Sequence, residues 1–366
     1  MKINFFSDFC FPGGIPVHQG ELALHLSKMY GHENRLCIPW PLKYDMNSNK
    51  EYIENAYNHK TLNNVFAALD FLEYIENESQ LEKIVNDADI NHFHGSFSTN
   101  RDFLGKAIKY SKNSKINFYT FHSESVNPNC ESNIEELKNR ISKIDNICAV
   151  SERVKASVAK IFPESNIYIT PNGINRSIYN VENDSKCDFS ILFVGRLNKT
   201  KGIDNVIKLI EDCENKKINF IIAGEAEFDC VYNEKMENLS KKNSRVKWIN
   251  KPLSRNDIMS LYKQADIFYF PSMMEGGPLV VLEAMSYGNI PVVTDVGCLN
   301  EIIINTKNGY IFKQEQYAEQ KQAIFKLYKE KKLRYTMREN VLNTKLNLWE
   351  ETAAYLNELY ERKINE

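Results

Sequence analysis

Short runs rich in β-branched and aromatic residues alternate with longer segments of helical period along almost the whole chain. This alternation is the feature that most limits the fold, because it is the signature of α/β units built on a parallel sheet. A first set of strands is expected at 2–6, 34–38, 90–94, 116–121, 146–150 and 167–169, with helical patterns such as 21–30 and 100–112 between them. A second set is expected at 189–195, 218–224, 245–250, 267–272, 290–295 and 309–312, separated by helical segments at 203–214, 255–265, 279–287 and 315–343. Between the two sets the stretch PNGINRSIYNVENDSKCD, 171–188, interrupts the periodicity with Pro171, the turn pair Asn172–Gly173 and a polar run.

Two doubly wound α/β domains in tandem follow: residues 1–172, a linker over 173–188, and 189–345, with a cleft expected between the domains. At 366 residues the chain exceeds what one core usually supports, and 43% hydrophobic with 11% aromatic residues is enough for two cores and too much for a disordered chain. Trp349, Tyr355, Leu356 and Leu359 give the final segment, 346–366, a packing face.

Charge excludes broad electrostatic partners. The formal net charge is −2, and the residues through Asn180 carry 19 Lys+Arg against 21 Asp+Glu, so nucleic acid is not expected. Peripheral membrane contact is left open, but the charge of the first domain does not call for it. Eight cysteines without a CxxC pair or zinc-like spacing indicate a reduced, cytoplasmic setting. The start MKINFFSDFCFPGG reads as a first strand, and no apolar run approaches the roughly 18 residues of a membrane span.

In such sheets ligands bind beyond the carboxyl ends of strands, and the polar motifs fall there. In FVGRLNKTKG, 193–202, Gly195 ends an apolar strand, and Arg196 and Lys201 occupy the loop before the helix near Ile203. A guanidinium fork and an ammonium so placed suit a diphosphate; a solvated basic turn is the plainer reading. In FPSMMEGGPLVVLEAM, 270–285, the loop carries Glu275, Gly276 and Gly277, and Pro278 is expected at the first helical position, followed by Leu279. Glu283 lies in an otherwise apolar helix, where desolvating a carboxylate is costly unless donors such as a vicinal diol meet it. A local lysine pairing is the alternative. Met273 and Met274, just before Glu275, fit the lining of a sugar pocket, with packing the plainer reading.

The pair Gly13–Gly14 follows the first strand, where its amides would touch a phosphate or form an ordinary turn. His122 ends the strand INFYTF, at a cleft position that a structural histidine would also fit. His92 and His94 alternate on one strand, but no third ligand has convincing spacing, so no metal is assigned. Asp87-Ala88-Asp89, the one candidate Asp-x-Asp pair, precedes its strand and reads as a surface turn. Neither G-x-G-x-x-G nor G-x4-GK-[ST] occurs, which counts against a nicotinamide enzyme and a P-loop nucleotidase.

The GR-x4-KG and E-x7-E pair, in this order, resembles the retaining glycosyltransferases of family 4, which have the GT-B fold of two Rossmann-like domains. PGGIPVHQGELALHL, HFHGS at 92–96, TFHS at 120–123, AVSERVKASV at 149–158 and ITPNGIN at 169–175 extend the resemblance over nearly the whole chain. The resemblance implies that Arg196 and Lys201 bind the donor diphosphate, Glu275 the transferred sugar and Glu283 the ribose hydroxyls. Amides from Gly276 through Gly277 and Pro278 to Leu279 would line the donor site, with the base near Lys251 to Leu253. Gly13 and Gly14 would face the donor from the other domain, His122 would stand beside the transferred sugar with a part in catalysis, and the last helix would cross back to the first domain.

The implied reaction moves a sugar from a nucleotide-diphosphate sugar, UDP-linked by expectation, to a sugar, lipid-linked or protein-linked acceptor. It proceeds with retention, without a metal or other cofactor, in glycan, glycoconjugate or cell-surface polysaccharide synthesis. A nucleotide-sugar 2-epimerase shares the architecture but needs acid and base carboxylates that have no obvious positions here. A non-catalytic paralogue is opposed by the intact Arg196, Lys201, Glu275 and Glu283.

Overall fold

A computed structural model describes residues 1–7, 13–39, 72–95, 102–112, 115–124, 131–142, 144–175, 189–214, 216–226, 230–251 and 253–366. They divide into two compact units, Met1–Gly173 with Asn347–Glu366, and Ile174–Leu346.

The first unit runs β1 (Lys2–Ser7), α1 (Gly14–Tyr30), β2 (Glu33–Pro39), β3 (Leu72–Ile75), α2 (Glu78–Asp87), β4 (Ile90–Gly95), α3 (Asp102–Tyr110), β5 (Ile116–Phe121), α4 (Glu131–Arg140), β6 (Asn146–Ala149), α5 (Glu152–Ala159) and β7 (Ile167–Ile169). Its strands form one parallel sheet in the order β3-β2-β1-β4-β5-β6-β7. Chain direction across the sheet reverses between β1 and β4, which is where ligands bind in doubly wound folds. One face of β4 sends Phe93 into an apolar cluster with Phe6, Phe103 and Phe121. The other face carries His92 and His94.

Near the amino ends of these strands the register sets Asn4 beside Asn91 and Asn91 beside Asn117. The buried amide nitrogens of Asn4 and Asn91 donate along this row and to the carbonyls of Ile84 and Val85, at 2.9–3.4 Å. This ladder locks register, since a one-residue slip would turn each amide to the other face. At the same end Asp87 takes hydrogen bonds from Lys2 Nζ (2.7 Å) and Arg35 Nη2 (2.8 Å), and Asp89 from the Lys2 amide (2.7 Å). The Asp-x-Asp pair is thus a structural clamp opposite the carboxyl edge.

The second unit runs β8 (Phe189–Val194), α6 (Ile203–Asp212), β9 (Ile218–Ala223), α7 (Cys230–Lys242), β10 (Val246–Ile249), α8 (Arg255–Gln264), β11 (Ile267–Phe270), α9 (Leu279–Ser286), β12 (Ile290–Thr294), α10 (Leu299–Ile302), β13 (Tyr310–Phe312), α11 (Tyr317–Lys329) and α12 (Lys331–Leu342). The parallel sheet has the order β10-β9-β8-β11-β12-β13, reversing between β8 and β11. The stripe Ile203, Val206, Ile207 and Ile210 is buried as the α6 core face. The helix expected over 315–343 is two: Glu330 leaves helical geometry at φ −99, ψ 84, and Arg334 Nη1 donates to the Leu327 carbonyl at 2.6 Å.

The last helix, α13 (Trp349–Asn365), belongs to the first unit and packs on α1. Trp349, Ala353, Leu356 and Tyr360 are fully buried, whereas Tyr355 is 41% exposed. Tyr355 sits one position off the stripe and is not part of the packing face expected for it. No helix among the described residues is long and apolar enough to cross a membrane.

Candidate active site

In the second unit the site builds from two loops at the carboxyl edges of β8 and β11, the neighbours at the reversal. After β8, Asn198 takes the Lys201 amide on its side chain (3.0 Å) and caps a 3-10 turn over Lys199–Lys201. Gly202 then turns the chain with φ +73, a left-handed conformation that glycine adopts without strain. The turn delivers Lys201 Nζ to Glu275 Oε1 at 2.6 Å. Ser272 Oγ donates to the same oxygen at 2.7 Å, and the Met273 amide donates to Thr200 O at 2.7 Å. The two loops are therefore joined by side chains and backbone together.

Arg196 follows Gly195 at the end of β8 and is exposed. Gly276 is buried, and Gly297 passes so close that a Cβ on it would meet the Gly276 carbonyl. Pro278 is the N-cap of α9, with φ −70 and ψ 94, and not its first helical residue; Leu279 opens the helix. Leu279 therefore carries the first amide of the helix, where an intrahelical acceptor is lacking. Glu283 lies further along α9, and its Oε2 accepts from Tyr262 Oη at 2.9 Å. Burial pushes the Glu283 carboxyl above its usual 4.5, against the pull of Arg255 and the Tyr262 hydroxyl. The structure thus joins Lys201 to Glu275 directly and gives Glu283 a separate partner, Tyr262.

Sequence reasoning missed Ser272 and Tyr262. Ser272 stood in plain view within FPSMMEGG, between the strand end and Glu275. Tyr262 comes from α8 and meets Glu283 only through packing, which no local pattern reveals. Of the segment Lys251 to Leu253, Pro252 lies outside the described residues, and Lys251 is exposed.

In the first unit α1 begins at Gly14, seven residues before the expected helix, with Gly13 as its N-cap. Both glycines are exposed, and the pair is a helix start. Pro16 is tolerated because the first-turn amides have no intrahelical acceptor. His122 is half-buried just past β5 and lies 3.0 Å, Nε2 to Nδ1, from His94 on β4. His94 is fully buried, as is His18 on α1, whose Nδ1 pairs with Asn172 Oδ1 at 2.6 Å. His92 uses both nitrogens, on Tyr360 Oη (2.5 Å) and Thr120 Oγ1 (2.6 Å). His94 and His122, from neighbouring strand ends, and His18 from α1, far away in sequence, thus each bring one ring nitrogen within 4.8 Å of the others. Desolvation is the main reason that His94 and His122 are held well below the usual 6.5, and it lowers His18 to about 4.

Residues 177–344 match the family model described as Glycosyl transferases group 1. A curated N,N'-diacetylbacillosaminyl-diphospho-undecaprenol alpha-1,3-N-acetylgalactosaminyltransferase of Campylobacter jejuni is 30% identical over 276 residues, 74% of this chain and 69% of that one. An uncharacterized glycosyltransferase of Methanocaldococcus jannaschii is 26% identical over 95% of this chain and 94% of its own length. Among solved structures, Anabaena HepE in complex with UDP superposes with a TM-score of 0.74 at 17% identity, covering 99% of this chain and 100% of HepE. At that identity the likeness carries the fold, which is GT-B.

Proposed function

This chain belongs to the group 1 glycosyl transferases and is a glycosyltransferase, and on that footing we propose that it moves a sugar from a UDP-linked donor to an acceptor hydroxyl with retention of configuration. The observation that carries the site assignment is the Lys201–Glu275 contact of 2.6 Å, which sets a cation and a carboxylate side by side at the reversal of the second sheet. In this reading the second unit is the donor domain. Lys201 and Arg196 take the diphosphate, amides from Gly276 to Leu279 add donors at the start of α9, Glu275 holds the transferred sugar and Glu283 the ribose hydroxyls. As the glycosidic bond breaks, the negative charge growing on the departing diphosphate meets cations already in place.

Charge neutralisation by Arg196 and Lys201 makes a metal unnecessary for departure, and a leaving-group phosphate oxygen can take the acceptor proton. The first unit is the acceptor domain, with Gly13, Gly14 and His122 at the carboxyl edge of its sheet. HepE was solved with UDP, which supports the choice of nucleotide. The Campylobacter relative is named for a diphospho-undecaprenol substrate, which supports a lipid-linked acceptor.

The test is a thermal-shift screen of nucleotide sugars, in which a donor at about 100 times its Kd adds about 2.7 kcal/mol of stability. UDP-sugars are expected to raise the melting temperature, and Arg196→Ala to abolish the rise. An equal shift in the variant would remove the phosphate assignment.

A further inference from the structure

We propose that His18, His94 and His122 form a binding site for one divalent cation of the Zn2+ class at the carboxyl edge of the first sheet. One ring nitrogen from each lies within 4.8 Å of the others, and His94 Nδ1 is 3.0 Å from His122 Nε2. The three rings come from different elements, α1, the end of β4 and the residue after β5. They converge beside the reversal between β1 and β4, where Ser7 pairs in register with His94 and His94 with Thr120. Tetrahedral zinc with nitrogen ligands at about 2.0–2.1 Å separates those nitrogens by about 3.3 Å, a spacing that the 3.0 Å pair and the 4.8 Å limit bracket.

One orphaned atom points to a ligand. Nε2 of His18, a fully buried side chain, has no hydrogen-bond partner among the described residues. A buried polar atom left unmet is costly, and native proteins seldom tolerate it without a reason. The tautomer of His18 is fixed by its neighbour: Asn172 Oδ1 can only accept, so Nδ1 carries the proton and Nε2 a lone pair. A ligating histidine that donates its other N–H to a carbonyl oxygen is the usual outer-shell arrangement of a metal site.

The chemistry favours a cation over an anion. Three imidazoles with nitrogens this close repel one another when protonated, so as neutral rings they offer lone pairs, whereas a phosphate would need protonated rings. An all-imidazole set suits Zn2+ and its transition-metal neighbours and disfavours Mg2+, which prefers oxygen. His92 is not a ligand, because Tyr360 and Thr120 occupy both its nitrogens; with Phe5, whose ring lies 5.8 Å from each of His92 and His94, it forms the wall behind them. Three protein ligands leave a fourth position for solvent or a substrate oxygen. An imidazole that ligates through one nitrogen keeps an N–H on the other, so ligation is compatible with His122 serving the sugar. The inference rests on the first unit alone and stands or falls separately from the transfer reading.

The test uses the full chain stripped with a chelator and titrated with Zn2+ in a calorimeter, with Mg2+ as the contrast. The expected result is one Zn2+ per chain, no heat with Mg2+, and an X-ray absorption spectrum showing about three imidazole nitrogens at about 2.0–2.1 Å. His18→Gln should abolish the stoichiometric binding, and Asn172→Ala should weaken it about 10–100-fold by freeing the His18 ring. Absence of saturable Zn2+ binding by the wild-type chain would overturn the proposal, as would full binding by a His18→Gln variant that melts cooperatively. Should that variant fail to fold, the wild-type spectrum decides: a shell with fewer than two imidazoles refutes the site.

Discussion

Lys201 Nζ lies 2.6 Å from Glu275 Oε1, tying the loop after β8 to the loop after β11 with both side chains largely buried, 20% and 13% exposed. Desolvation offsets much of what so shielded an ion pair gains, but removing one member leaves the other charge shielded from water without its partner. Lys201→Ala is therefore expected to lower kcat by about 10²–10³-fold, the usual cost of one donor aimed at developing charge. A double-mutant cycle of Lys201→Ala and Glu275→Gln, read by thermal melts without nucleotide, should give a coupling of about 0.5–3 kcal/mol. Additive effects would mean that the contact does not join the loops.

Glu283 offers a pH signature. Burial raises its carboxyl above 4.5, with Arg255 and Tyr262 opposing. A carboxyl with a raised folded-state pKa binds its proton more tightly in the native state, so the stability this gives is present at acid pH and lost as pH climbs through the raised value. Glu283→Gln stays neutral and can still accept from Tyr262 Oη. Its melting temperature should gain on the wild type as pH goes from about 5 to about 8, where the native carboxylate carries its desolvation cost. If Glu283 also holds ribose, the same variant should bind UDP about 10–100-fold more weakly, the range for hydrogen bonds to a charged group. Parallel pH curves for the two proteins would refute the raised pKa.

The lattice of strands was legible because parallel strands buried on both faces read as apolar runs, and β5 falls on the expected residues. β3, LEYI, was not: four residues with a central glutamate do not stand out, and only pairing with β2 makes them a strand. Helix α1 began earlier than its pattern because Gly13, Gly14 and Pro16 read as a turn, although a first turn accepts all three. In the site, Lys201 and Glu275 were readable as residues of the right type after strands. Their contact was not, since 74 positions separate them and only the β8–β11 adjacency brings the loops together. The histidine cluster was hidden for the same reason, with one member on a helix and two on neighbouring strand ends.

Gly202 is the hinge on which the Lys201 turn depends. It holds φ +73, and a Cβ there would strike the Pro271 carbonyl at the start of the facing loop. Gly202→Ala should cost about 1–3 kcal/mol from backbone strain alone. The clash also pushes the two loops apart, so the stabilisation conferred by a UDP-sugar should fall with it. A variant that melts and responds to UDP like the wild type would show that the turn does not set the site.

The last helix should be essential to the first unit. Trp349 is fully buried beside His18, 5.3 Å between ring centroids, and Gly173 passes so near its backbone that a Cβ would collide with the Trp349 amide. Tyr360 Oη meets His92 at 2.5 Å, Asn357 Oδ1 meets His32 at 2.6 Å, and Thr352 Oγ1 donates to Pro171 O at 2.9 Å. These bonds lie inside the unit, so losing the helix strips an apolar face and orphans buried polar groups together. Trp349→Ala should cost about 3–5 kcal/mol, a large share of the about 5–15 kcal/mol that holds a domain. Tyr355→Ala, on the exposed side of the same helix, should stay within about 0.5 kcal/mol. Denaturant melts of the two variants, compared with a chain ending at Leu346, make the test: the truncated chain should lose the transition of the first unit and Trp349→Ala should shift it to lower denaturant, while the second unfolds as before. Equal stability of the Trp349 and Tyr355 variants would show that the helix is an appendage.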